Sequence, residues 1–186
     1  MSRSESPTFE PSGTFDDRLD DPDTLRFPDE WKLSGSWQRA QREADRGGPI
    51  NDAERMVWLD ESDEPHRVTF ALDGQRLLAD CDCRGYRFNR WCAHVASCWW
   101  RWSRGEIAVQ HLQTGREYPE PPAWFRHDPL PRAGLDDLTP AELDAYLHCD
   151  VGGEGVRAFA RRTDRAAGTV GNLLTAARET MGGVRR

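Results

Sequence analysis

Between residues 81 and 94, in the stretch CDCRGYRFNRWCAH, three cysteines and a histidine fall in the order C-x-C-x8-C-x-H. The whole chain of 186 residues has only five cysteines and five histidines. A disulfide, a nucleophile, a metal site and chance compete to explain the cluster. Residues 1–20 lack the apolar segment of a secretion signal, and no apolar run approaches the length of a membrane span. The expected compartment is therefore the cytoplasm, where thiols stay reduced and clustered cysteines bind metal more often than each other. A C-x-C disulfide would also be strained. Cys92 with His94 as its base lacks a third, orienting group and any sign of a substrate pocket.

What flanks the cluster argues against chance. In HRVTFALDGQRLLADC, Asp73-Gly74 separates two alternating runs, a strong hairpin signal. With that pair as the turn, Phe70 faces Leu77, Val68 faces Ala79 and His66 faces Cys81. Period two then puts Val68, Phe70, Leu77, Ala79, Cys81 and Cys83 on one face, and pairs Arg67 with Asp80 on the other. From Cys92 the period becomes helical: Val95, Cys98, Trp99 and Trp102 recur at three-four spacing, Arg101 and Arg104 close the last turn, and Gly105 stops it. A C-x-C at a strand end points both sulfurs one way. A C-x-H at a helix start brings a third sulfur and an imidazole alongside, and the eight residues between close a tetrahedron. Cys81, Cys83, Cys92 and His94 thus form a closed structural Zn²⁺ site with no open position for a catalytic water. Three thiolates around Zn²⁺ leave a charge of about −1, which the first-turn amides behind Cys92 and the nearby Arg84, Arg87 and Arg90 offset. Cys98 falls on the apolar face as a small core residue. His66 comes near the metal in that register, but four ligands are already present. Cys149, His111 and His127 have no partners in the pattern and read as structural or exposed.

Residues 66–106 resemble a SWIM zinc finger, a family built as a β-hairpin, C-x-C, a variable loop, C-x-H and a helix. The resemblance implies binding of DNA or of protein, often beside an ATPase or a transposase, although no such larger partner is encoded in this chain. Arg84, Arg87 and Arg90, on the loop, suit a phosphate backbone. The interleaved Tyr86, Phe88 and Trp91 could stack on bases, but so small a module needs aromatics as core, and that reading is preferred.

Charge divides the chain. The formal net charge is −7, and acidic residues crowd the first 64 positions, while the cysteine segment and the C-terminus are locally basic. Mean hydropathy is −0.80, so part of the chain is expected to stay unpacked. Residues 1–30 read as a disordered acidic tail. Residues 31–106 form the zinc domain, in which Ser36 caps a short helix through Ala44 and MVWL (56–59) is a strand. Residues 107–135, rich in Pro and carrying Trp124, read as an extended Pro/Trp linker that Trp124 and Phe125 could pack back, and 136–186 as a second domain.

That second domain carries three helices. In LTPAELDAYL, Thr139 is the N-cap, Pro140 takes the first helical position, Glu142 completes a capping box, and Leu138 with Leu143 forms a hydrophobic staple. Residues 139–181 resemble the helix-turn-helix of sigma-factor region four. Phe159 and Ala160 lie in the supporting helix, and Gly168, Thr169 and Val170 open the reading helix. On that reading Thr169, Asn172 and Arg178 face a DNA groove, with Arg161, Arg162 and Arg165 near phosphates. Asp164 stands where such turns usually have glycine, and Ala166 where a Ser or Thr cap is usual.

The expected fold class is α+β: a small ββα zinc module, a linker and a three-helix helix-turn-helix behind an acidic tail. The expected function is that of a non-enzymatic, zinc-dependent DNA-binding regulator of transcription or DNA metabolism, with RNA as an alternative target. The competing reading is an adaptor that docks onto a recombinase, ATPase or polymerase. Neither a membrane nor a small-molecule substrate is expected.

Overall fold

In a computed structural model, which describes residues 22–125 and 134–183, the first described residues run along a sheet edge. Thr24 bridges Leu78 in antiparallel fashion, Leu25 N–H donates to Leu77 O (2.7 Å), and Ala79 N–H donates to Asp23 O (3.1 Å). Leu25 is buried, and Phe27 packs on Trp31, Trp91 and Trp99. Packed structure therefore reaches back before residue 31. The acidic side chains that suggest an unpacked tail are interrupted there by two apolar residues that reach the core. The rest of the expected tail lies outside the described residues.

A 3-10 turn (Trp31–Leu33) leads into α1 (Gly35–Arg42). Its cap is Ser34 rather than Ser36, with the hydroxyl accepting from Trp37 N–H at 3.2 Å. This earlier start turns Trp37 and Ala40 inward. Four antiparallel strands follow, in sheet order β1 (Gly48–Pro49), β2 (Glu54–Val57), β3 (His66–Asp73) and β4 (Arg76–Cys81). The strand expected at 56–59 begins and ends two residues earlier. Both edges of the sheet are guarded: β1 is short and carries Pro49, and residues 23–25 cover β4.

The hairpin register differs by two residues from the expected one. Val68 pairs with Cys81, Phe70 with Ala79, Leu72 with Leu77, and Asp73 with Arg76. Gly74, at φ 57°, takes the first central position of the turn, where a left-handed residue is needed, and Asp73 stays in the ladder. A shift of two keeps every side chain on its face. The apolar face is therefore as expected, while His66 pairs with Val57 instead of Cys81 and Thr69 replaces Arg67 opposite Asp80.

The segment between the ligands is helical: α2 (Arg84–Asn89) is followed by α3 (Ala93–Trp102). Helix α3 lies on β3 and β4, and α1 packs against α3. Val95, Cys98, Trp99 and Trp102 enter the core as their spacing predicts. Behind them Asp45 accepts from Gly47 N–H and Trp58 N–H, both at 2.8 Å, and pairs with Arg101 (2.7 Å) and Arg55 (3.4 Å).

Residues 107–125 are not a free linker. Strands β5 (Val109–Gln110) and β6 (Glu117–Tyr118) pair with each other. Leu112 N–H donates to Leu72 O (2.8 Å) and Trp102 Nε1–H to Tyr118 O (2.9 Å). Trp124 is fully buried. Trp124 and Phe125 pack the stretch back on the core, where the Phe125 ring meets Trp99 and Trp102. Residues 126–133, with His127, lie outside the described residues.

Helix α4 (Pro140–Ala145) has the expected cap, with Thr139 and Glu142 forming the box. It continues as a π-helical turn (Tyr146–Val151), then α5 (Val156–Arg162) and α6 (Ala167–Gly183). Ala145, Phe159, Ala160, Val170 and Leu174 make a small core of their own. Leu143, Leu147 and Ala177 join the main core with the sheet and α3. The described chain is thus a mixed α and β protein with one four-stranded antiparallel sheet and six α-helices. None of these helices is long and apolar enough to cross a membrane.

Candidate metal centre

Cys81 ends β4, and two residues on Cys83 caps α2, its sulfur accepting from Tyr86 N–H at 3.3 Å. Cys92 caps α3, its sulfur accepting from Val95 N–H at 3.5 Å. His94 lies in the first turn of α3. Two of the three sulfurs therefore sit at helix N-termini, where the amide dipoles favour thiolate. All four side chains are buried, and one ligand atom from each lies within 4.8 Å of all the others. The cluster could hold a metal ion.

His94 turns Nδ1 toward the sulfurs, 3.8 Å from Cys81 Sγ and 3.9 Å from Cys92 Sγ. Its Nε2 lies 3.3 Å from Ser62 Oγ. A hydroxyl in this place orients an imidazole and fixes which nitrogen faces a cation. The His66 ring lies 4.5 Å from that of His94, with Nδ1 held 2.8 Å from Asp82 Oδ1. His66 thus walls the site and is tied elsewhere. Hydrogen bonds with Cys81 and Cys92 hold the Cys83 thiol well below its ordinary range, and the bond with Cys83 pushes Cys81 up. Three thiols this close share protons until a cation neutralises them. Burial pushes Cys98 up to about 12, in keeping with an inert core thiol. Cys149 is half-buried against the small C-terminal core.

Arg84 and Arg87 lie on a helix rather than a loop, because the Cys83 cap starts one and Arg90, at φ 51°, ends it. Arg84, Arg87 and Arg90 are exposed. Arg84 Cζ lies 5.8 Å over the Phe88 ring, and Arg90 pairs loosely with Asp23 at 3.3 Å. The aromatics divide: Tyr86 and Trp91 are buried, whereas Phe88 is 75% exposed.

In the C-terminal helices Arg161, Thr169 and Asn172 are exposed, without side-chain partners among the described residues. Three other candidates are engaged. Arg162 pairs with Glu154 (2.7 Å), Arg178 grips Asp150 with two nitrogens (2.8 and 2.5 Å), and Arg165 lies 3.7 Å from Asp144. Asp164 has φ 52°, the left-handed conformation that glycine would take in a tight turn. Ser62 and the segment 22–27 escaped sequence reasoning. A serine in an acidic loop has no periodicity to mark it, and two apolar residues are too few to mark a strand.

Comparison with protein-family models, with curated proteins and with solved structures finds no match to the chain.

Proposed function

We propose that the chain is a zinc-stabilised nucleic-acid-binding protein, in which a closed Cys3His site anchors a basic helix. The observation that carries this reading is the buried set of Cys81, Cys83, Cys92 and His94 with Arg84 and Arg87 exposed on α2, and Arg90 exposed at its end, between the ligands. Three sulfurs and one imidazole are the donors of a structural zinc site. A tetrahedron with ordinary Zn–S and Zn–N bonds has edges of about 3.6–3.8 Å, close to the S–N separations here. The order of hairpin, C-x-C, C-x-H and helix supports the SWIM resemblance. The α2 arginines bind phosphates, and so the protein serves as a DNA-binding regulator. Arg161, Thr169 and Asn172 give the C-terminal helices a contact surface, and the left-handed turn at Asp164 supports a helix-turn-helix.

One observation favours the adaptor reading for those helices. Arg162 and Arg178 spend their charge on Glu154 and Asp150, which leaves fewer cations for DNA. The test is elemental analysis of the purified chain, then duplex binding across a salt series. One zinc per chain and a steep salt slope are expected. Asn172→Ala should cost roughly 1–3 kcal/mol on a preferred site and little on random DNA. A folded chain without zinc overturns the metal reading. An inert Asn172→Ala overturns the helix-turn-helix and leaves the adaptor in its place.

A further inference from the structure

Helix α2 has six residues. At 1.5 Å per residue it is about 9 Å long, too short to lie along a major groove and read several base pairs. Its surface is instead built around Phe88. Every other aromatic side chain among the described residues is at least partly covered. Tyr86 and Trp91 already hold the helix to the core, so folding does not require Phe88. Leaving a phenylalanine in water forfeits the stabilisation that burial would give it. The Arg84 guanidinium lies over this ring, and no acidic residue occurs between 84 and 91.

Beside α2 runs a cleft of about 510 Å³, roomy enough for a nucleotide, lined in part by Tyr86 of the helix and by Arg90 at its end. Its walls include Arg26 and Arg76, against Asp23 and Asp73. Arg26 is exposed, and Arg76 reaches Thr24 Oγ1 at 3.3 Å. Phe88 lies on the face of the helix away from Tyr86, and Arg87 and Arg90 lie between that ring and the groove. An open ring from which arginines lead toward a groove suits unpaired nucleotides: the base stacks and the phosphates follow the arginines.

We propose that α2 and this cleft take single-stranded nucleic acid, with an unpaired base stacked on Phe88 and the backbone running past Arg87 and Arg90 toward Arg26. This rests on the nucleic-acid reading above and names its substrate class. The test uses the full chain and a fluorescent oligothymidylate of about 15 nucleotides, beside a duplex of the same length. The single strand should bind more tightly. Phe88→Ala should weaken single-strand binding roughly five- to hundredfold without shifting the melting temperature, and Phe88→Trp should restore it. Arg26→Gln should flatten the salt slope by roughly 0.7. Duplex bound as tightly as single strand, or a Phe88→Ala without effect, overturns the inference and leaves general nucleic-acid binding standing. A chain that binds neither probe sinks both.

Discussion

One hydroxyl settles which nitrogen of His94 meets the sulfurs. Ser62 Oγ holds Nε2 at 3.3 Å, so Nδ1 is left to face Cys81 and Cys92. Ser62→Ala should keep the fold and lower metal affinity roughly tenfold, as read by competition with a chromophoric chelator. In the π-helical turn His148 is enclosed by Tyr118, Trp124, Asp144, Glu154 and Arg162. Burial, helped by the Arg162 charge and opposed by Asp144 and Glu154, lowers it to about 4. The unfolded imidazole titrates near 6.5, so between about pH 6.5 and 4 the unfolded chain binds a proton that the folded chain refuses. Stability is full above that window and falls as pH drops through it. Because water still reaches the ring, the loss is on the order of 2 kcal/mol, less than the whole shift implies. Urea midpoints at pH 7 and pH 4.5 should separate more for the wild type than for His148→Gln. The four ligands were legible because their spacing is itself the chemistry. Ser62 and the His148 enclosure were not, since their partners lie far off in the chain.

Among the elements, the segment 22–30 does more than its composition suggests. It covers the β4 edge through two backbone hydrogen bonds and inserts Leu25. A chain beginning at residue 31 should therefore melt on the order of 10 °C below one beginning at residue 22. Burial of one leucine is worth about 2–5 kcal/mol, and each kcal/mol moves the melting point by a few degrees in a chain of this size. Equal melting points would show the edge contact to be idle. The hairpin, α3 and the α4 cap were readable in advance because period two, period three-four and a capping box are local signals. The turn slid by one residue and the pairing by two, because Asp73-Gly74 and Gly74-Gln75 preserve the same apolar face, and alternation cannot choose between registers of equal parity. Helix α2 was hidden because its N-cap is a cysteine, a residue read first as a ligand.

Across the whole molecule the main core runs from Leu25 to Ala177, through Trp124 in the stretch that reads as a linker. A chain ending at residue 106 should lose Val109, Tyr118 and Trp124 from that core, bind an apolar dye and melt without a sharp transition, while the full chain shows one cooperative transition by circular dichroism. Two transitions in the full chain would restore the two-domain division suggested by its proline-rich middle. Proline marks a linker only if nothing downstream returns to cover the aromatic residues beside it. The reach of the core to Ala177 also sets a timetable for biosynthesis. Ala177 leaves the ribosome well after the four cluster residues, so the nascent chain holds its cysteines and tryptophans in an unfinished core until the C-terminal helices emerge. Chains stalled before that point should present a proteolytic target, with the cysteine cluster set in an incomplete core.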